Sequence, residues 1–136
     1  MHQLDLEPRV CRVAQLNEWI GSCCAADGVG EDLAFKMTLA IEEAVVNVIS
    51  HAFAGVSPPH SIRVRLDIAA QRVTAEIIDN GRPFDPTAAA LPDLSVPLDE
   101  RRSGGLGIHL MRTMVDRLRY RRGDGTNILR LETARG

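Results

Sequence analysis

The hydrophobic period of this 136-residue chain changes near residue 60, and this change constrains the fold more than any other feature. Before it, apolar residues recur every three or four positions, which is typical of amphipathic helices. After it, Ile62, Val64, Leu66 and Ile68 alternate with charged residues, which is typical of a half-buried strand. Antiparallel strands combined with helices in this way predict an α+β fold, a two-layer sandwich with the helices on one face of a mostly antiparallel sheet.

The same patterns predict the individual elements within a single domain spanning residues 1–136. Helices are expected from Pro8 to about Ala26, from Glu31 to about Phe53, and from Leu106 to about Asp116. Strands are expected over residues 2–7, 62–68, 73–78, 117–121 and 128–133. Residues 87–103 contain two prolines and no clear period, and a connection of this length predicts a mobile functional loop.

The alternation also predicts that one sheet face is polar and rich in arginine. Alternation alone predicts a solvated face, so we favour that interpretation over a docking surface. The candidate residues are Arg63, Arg65, Arg72, Arg119 and Arg130.

Composition indicates a soluble protein of the cytoplasm. The formal net charge of -2 gives no general attraction to nucleic acid, so no direct nucleic-acid contact is expected. Cys11, Cys23 and Cys24 lack zinc-binding spacing and are predicted to be buried or free thiols. The first ten residues lack the apolar stretch of a signal peptide, and no run approaches membrane-spanning length.

The first of three segments with candidate chemistry is the helix segment 41–51. Glu43 and Asn47 lie four residues apart and therefore share one helix face. An amide oxygen suits Mg²⁺, and a carboxylate one turn away could accept a proton from a hydroxyl that attacks a phosphate. The apolar neighbours predict that both side chains are buried and need partners. Glu42 is predicted to face solvent. His51 could lie beside a phosphate, but we favour a structural role at the helix end.

The second segment, DNGRPFDP, places Asp79 at the end of a strand, beside a turn. The carboxylate could accept a hydrogen bond from an exocyclic amine, and Gly81 permits a close approach of the backbone and a flat base. Taken alone, the segment is better explained as an ordinary β-turn with an Asx cap.

The third segment is a glycine-rich turn that opens a helix. Gly104, Gly105 and Gly107 leave backbone N–H groups free to bind phosphate, and the helix dipole adds attraction. Neither the Walker pattern nor the Rossmann fingerprint is present. Arg101 and Arg102 precede this turn and could contact phosphates or simply be solvated.

These segments, in this order, resemble those of the GHKL superfamily of ATPases and kinases. The similarity is greatest to the small anti-sigma factor serine/threonine kinases of bacterial partner-switching systems, and it spans nearly the whole chain. It implies the Bergerat ATP-binding fold, with Glu43 as general base and Mg²⁺ held by Asn47. It also implies that Asp79 binds adenine, that Gly81, Gly105 and Gly107 shape the pocket, and that Thr126 supports the adenine end.

The resemblance further implies partners and an output. The acceptor would be a serine or threonine of a small anti-anti-sigma protein of the STAS type, with a sigma factor as the second partner and a homodimer as a candidate assembly. Two other functions stay open: an ATP-binding interaction module without phosphotransfer, and the catalytic portion of a histidine kinase system.

Overall fold

The computed structural model describes residues 1–7, 9, 12–88 and 105–135, except for the side chains of residues 105–107. Within these ranges the chain forms one five-stranded sheet, three α-helices and two short helical turns. The elements are β1 (His2–Leu6), α1 (Val13–Ala26), α2 (Glu31–Asn47), a π-helical turn (Val48–Ala52), β2 (Ile62–Ile68), β3 (Arg72–Asp79), a 3₁₀ turn (Pro86–Ala88), α3 (Gly105–Met114), β4 (Arg117–Gly123) and β5 (Thr126–Ala134).

The strand order is β1-β2-β3-β5-β4, and every neighbouring pair is antiparallel. β5 therefore lies between β3 and β4, and its register places Asn127 opposite Asp79. The end of β3 and the beginning of β5 thus lie side by side, which matters for the site described below.

The core lies between the three helices and one face of the sheet. Leu16 of α1, Ile41 of α2 and Met111 of α3 are fully buried, as are Val64 and Leu131 of the sheet. The predicted sandwich of helices on one face of an antiparallel sheet is therefore confirmed. None of the helices in the described part of the chain is long and apolar enough to cross a membrane.

The predicted second helix differs from the structure in its last turn. α2 ends at Asn47, and the next five residues form the π-helical turn, in which Phe53 N–H donates to Val48 C=O (3.0 Å). The apolar period continues through this turn, so the sequence pattern did not reveal the change. Gly55 has a left-handed conformation (φ 73°) after this turn, which glycine adopts without steric cost.

Other predicted boundaries differ by one or two residues, and several predictions lie outside the described residues. α3 begins at Gly105 and ends at Met114, β1 ends at Leu6, β3 is one residue longer at each end, β4 extends to Gly123, and β5 begins two residues earlier and ends one residue later than predicted. The described part of α1 begins at Val13. Of the predicted loop 87–103, only residues 87 and 88 are described, in the 3₁₀ turn. The remaining loop residues, Arg101, Arg102, Gly104, Cys11 and the predicted helix start at Pro8 lie outside the described ranges.

The sheet face opposite the helices carries the predicted arginines. Their side chains are exposed or half-buried, and several make ion pairs on this face. Arg63 pairs with Asp5 (Nε–Oδ1, 2.7 Å), and Arg130 pairs with Glu132 (Nε–Oε1, 2.7 Å).

Cys23 and Cys24 are both free and buried, as the sequence predicted. Burial raises the pKa of both thiols above the ordinary value, which makes them poor nucleophiles.

Candidate functional site

Asp79 is the most buried carboxylate in the described part of the chain. It is the last residue of β3 and is 3% exposed, because its side chain points to the helix-covered face of the sheet. Its Oδ1 accepts hydrogen bonds from Gly81 N–H (2.8 Å) and from Asn127 Nδ2 (2.9 Å). Burial raises the pKa of Asp79, while these two bonds and the positive charge of Arg122 oppose that rise.

The loop after β3 is fixed to the π-helical turn at the end of α2. Arg82 N–H donates to Ala52 C=O (2.8 Å), and Arg82 Nε donates to His51 C=O (3.0 Å). A Cβ atom at Gly81 would lie 2.5 Å from Ala52 O. Glycine is therefore required here by the close approach of two main chains, a reason that the sequence motif did not provide.

The α2 side of the site carries a buried amide. Asn47 is the last residue of α2 and is 3% exposed, and its Nδ2 has no hydrogen-bond partner among the described residues. Since a buried polar group without a partner costs free energy, this amide is available to a ligand. Glu43, one turn earlier, is half-buried. The structure therefore confirms that Asn47 is buried, whereas the prediction that Glu43 is buried is wrong, since its side chain is partly accessible to solvent.

Glu42 has a partner that the sequence pattern did not predict. It is half-buried, as Glu43 is, and its carboxylate accepts a solvent-exposed hydrogen bond from Asn17 Nδ2 of α1 (2.6 Å). The interhelical contact was not visible in the local pattern, because Asn17 lies 25 residues earlier in the chain.

α3 begins at Gly105 and packs against α2. Arg112 of α3 donates to the carbonyl oxygens of Pro86 (3.3 Å) and Thr87, which ties this helix to the 3₁₀ turn that follows the Asp79 loop. Gly107 lies in the first turn of α3. The structure thus connects the second and third sequence segments through one arginine.

Thr126 and Asn127 begin β5. Thr126 Oγ1 donates to Gly123 C=O (2.9 Å), and this residue and Asp79 both line a cavity of about 620 Å³ at the end of the sheet. Asn127 is the residue whose side chain contacts Asp79. Asn127 was not identified from the sequence. A signal was available, because Asn127, Leu129 and Leu131 are alternate residues of β5 and therefore point to the same buried face of the sheet.

A family model described as a histidine kinase-like ATPase domain matches residues 6–133. Because the match covers nearly the whole chain, the chain belongs to this family. The resemblance inferred from the three sequence segments is therefore confirmed.

Curated relatives have the predicted enzyme class. The chain is 38% identical over 115 residues to the serine/threonine-protein kinase BtrW of Bordetella bronchiseptica, covering 83% of this chain and 79% of the relative. It is 24% identical over 131 residues to the serine-protein kinase RsbW of Listeria monocytogenes, covering 93% and 82% of the two chains. The predicted class is confirmed, and the chain is a serine/threonine-protein kinase.

Solved structures share the fold. The RsbU and RsbW domains of a Mycobacterium tuberculosis protein align with a TM-score of 0.63 at 18% identity, covering 98% of this chain and 32% of that one. A histidine kinase domain from Erythrobacter litoralis aligns with a TM-score of 0.58 at 16% identity, covering 91% and 59% of the two chains. At these identities the similarity shows the fold alone.

Proposed function

We propose that this chain transfers the γ-phosphate of ATP to a serine or threonine of a small STAS-type anti-anti-sigma protein. When that protein is phosphorylated or absent, the chain holds a sigma factor inactive and so regulates transcription. The observation that carries the nucleotide part is the buried carboxylate of Asp79, held through Oδ1 at the end of β3. The names of the relatives support the rest. We place this activity in the cytoplasm and in one domain spanning residues 1–136.

The nucleotide would bind through groups from all three sequence segments. Asp79 accepts a hydrogen bond from the exocyclic amine of adenine, since the described hydrogen bonds of its carboxylate involve Oδ1 alone. Gly81 shapes this end of the pocket, and Thr126 supports the adenine. The backbone at Gly104, Gly105 and Gly107 binds the phosphates at the beginning of α3.

Asn47 would hold Mg²⁺ together with the phosphates and water. The side-chain amide is buried, and its oxygen Oδ1 is the atom that would bind the ion, because Mg²⁺ prefers oxygen ligands and in phosphoryl-transfer sites usually has only one or two from the protein. In the described part of the chain, no group of three or more His, Cys, Asp or Glu residues could hold a metal. When bound, the ion neutralises charge on the phosphates.

Glu43 would act as the general base. It lies one helical turn before Asn47 on the same face of α2 and is half-buried. Its carboxylate orients the acceptor hydroxyl and takes its proton as the oxygen attacks the γ-phosphorus, and ADP leaves. The hydroxyl proton is thereby held on Glu43 until the phosphorylated partner dissociates.

A transfer assay tests this proposal and separates it from the two alternatives. The chain is incubated with ATP labelled at the γ-phosphate and with small proteins captured on it from native lysate. Label on a captured small protein, on serine or threonine, is the expected result. Label on this chain itself would favour a histidine kinase system, and binding of ATP without label on any protein would favour an interaction module.

A further inference from the structure

The side chain of Asn127 uses all of its hydrogen-bonding capacity. Its Nδ2 donates to Asp79 Oδ1 (2.9 Å) and to Arg82 C=O (2.8 Å). Its Oδ1 accepts from the Tyr120 hydroxyl (2.5 Å) and from Arg122 Nη1 (3.1 Å). Two N–H groups and two lone pairs are the full complement of a side-chain amide, so this buried residue is completely satisfied.

These partners fix the orientation of the amide. If the amide were rotated by half a turn, Oδ1 would face the Asp79 carboxylate and the Arg82 carbonyl oxygen, and Nδ2 would face the guanidinium of Arg122. In that orientation neither Oδ1 with Asp79 and Arg82 nor Nδ2 with Arg122 could form hydrogen bonds, and like partial charges would be brought together. The Tyr120 hydroxyl can donate or accept, so it holds the amide without selecting its orientation. Arg122 and the Arg82 carbonyl oxygen therefore force Asn127 to present a donor, and not an acceptor, to Asp79.

The fixed donor in turn orients the Asp79 carboxylate. Oδ1 receives two N–H groups, from Asn127 and from Gly81, which stops rotation of the carboxylate about its Cβ–Cγ bond. Arg122 also donates to Gly81 C=O (2.7 Å), so the same residues hold the loop that supplies the second donor. Oδ2 is then the oxygen that meets a donor on a ligand.

We propose that Asn127, held by Tyr120 and Arg122, is the positioning residue that makes Asp79 selective for a base with an exocyclic amine. This inference rests on the proposed function, in which Asp79 receives the adenine amine. It adds that discrimination against a base with a carbonyl group at that position depends on a side chain that does not itself contact the nucleotide.

Two substitutions that are nearly isosteric with each other test the inference. Asn127→Thr keeps one hydrogen-bond donor at this position, and Asn127→Val has none. The affinity of each variant is measured for ADP and for IDP, whose base has a carbonyl oxygen in place of the amine. Thr133→Val, also buried on β5, is the control, because Thr133 Oγ1 contacts only Asp116 N–H among the described residues (3.2 Å).

In the wild-type chain and in Thr133→Val, we expect ADP to bind more tightly than IDP. Asn127→Val should lower ADP affinity roughly tenfold and IDP affinity much less, while Asn127→Thr should retain part of the preference. If Asn127→Val keeps the wild-type ratio of ADP to IDP affinity, the inference is overturned and the proposed function stands. If the wild-type chain binds the two nucleotides equally, the adenine role of Asp79 fails, and this inference fails with it.

The pH dependence of ADP affinity provides a second measurement. A further variant, Tyr120→Phe, tests the inference if Asn127→Val does not fold. Loss of the Asn127 donor raises the pKa of Asp79 further. As the pH is lowered, Asp79 should therefore become protonated, and ADP affinity should decrease, at a higher pH in Asn127→Val than in the wild-type chain. Tyr120→Phe removes one bond that holds the amide in place and should reduce the ratio of ADP to IDP affinity by a smaller factor. An unchanged ratio in Tyr120→Phe, with an unchanged pH profile in any folded Asn127 variant, would contradict the inference.

Discussion

Burial in the folded chain disfavours the ionised form of Asp79, although the proposed adenine contact requires that form. Burial raises its pKa in the folded state above the unfolded value of about 3.9. A group with a raised folded pKa contributes stability that is fully present below the unfolded pKa and is lost as pH rises through the folded pKa. At pH 7 the burial of the ionised side chain therefore lowers the free energy of unfolding, so Asp79 does not stabilise the folded chain through its charge.

Asp79→Asn should therefore affect the stability of the chain and its nucleotide binding differently. We expect the variant to unfold at no lower urea concentration than the wild-type chain at pH 7. It should nevertheless lose most of the increase in melting temperature that ATP produces, because the charged acceptor for the adenine amine is gone. Urea denaturation and thermal denaturation with and without ATP measure the two effects. An unchanged ATP affinity in the folded variant would disprove the assignment of Asp79.

Glu43 and Asn47 share a helix face, but substitutions at the two positions should have different effects on ATP binding and phosphate transfer. Glu43→Gln keeps the size of the side chain but cannot take a proton, so ATP binding should persist while phosphate transfer falls roughly 10²–10⁴-fold. Asn47→Ala removes the proposed metal ligand, so Mg²⁺-dependent ATP binding and transfer should both decrease. Nucleotide affinity and partner phosphorylation are measured for each variant.

Glu42→Gln is the matched control for Glu43→Gln. It neutralises the neighbouring carboxylate, which contacts Asn17 on α1, and should leave transfer at the wild-type rate. A wild-type rate of transfer in Glu43→Gln would exclude Glu43 as the base and favour the interaction-module alternative.

At the scale of elements, the contact between the Asp79 loop and the π-helical turn depends on Gly81. In Gly81→Ala the new Cβ would meet main-chain atoms of Ala52, which cannot move as a flexible side chain would. We expect a loss of about 1–3 kcal/mol in the free energy of unfolding. A weaker affinity for ATP should accompany it, since the loop that orients Asp79 is displaced.

Gly21→Ala is the control for this substitution. Gly21 is exposed in the middle of α1, and nothing lies within 4 Å of a Cβ placed there. This variant should gain about 0.5–1 kcal/mol of stability, because alanine favours the helix. Equal stabilities of the two variants in urea denaturation would mean that the Gly81 loop is not tightly packed against Ala52.

The elements themselves could be predicted from local patterns, with errors at the ends. Alternation over residues 62–68 and the spacing of apolar residues in α2 are short-range signals, so they located β2 and α2 correctly. The π-helical turn was missed because its apolar residues would be buried in either an α-helix or a π-helix. The partner of Glu42 was missed because it lies on another helix.

At the scale of the whole molecule, nucleotide binding should stabilise the fold by mass action. A ligand present at 100 times its dissociation constant, and bound only by the native state, adds about 2.7 kcal/mol. For a chain of this size we expect ATP or ADP with Mg²⁺ to raise the melting temperature by roughly 5–10 °C. Removal of Mg²⁺ with a chelator should reduce the shift, and a melting temperature unaffected by saturating nucleotide would contradict the proposed ATP site.

The sequence by itself determined the period of each element, the three segments that carry candidate chemistry, and the family that they resemble. These are local properties, readable from residues a few positions apart. Only the tertiary structure decided that Asn127 contacts Asp79, that Gly81 packs against Ala52, and that Arg122 reaches the Gly81 carbonyl. Asp79 and Asn127 are 48 residues apart, and sheet register brings them together. Register and packing minimise the free energy of the whole chain, so no single segment encodes these contacts.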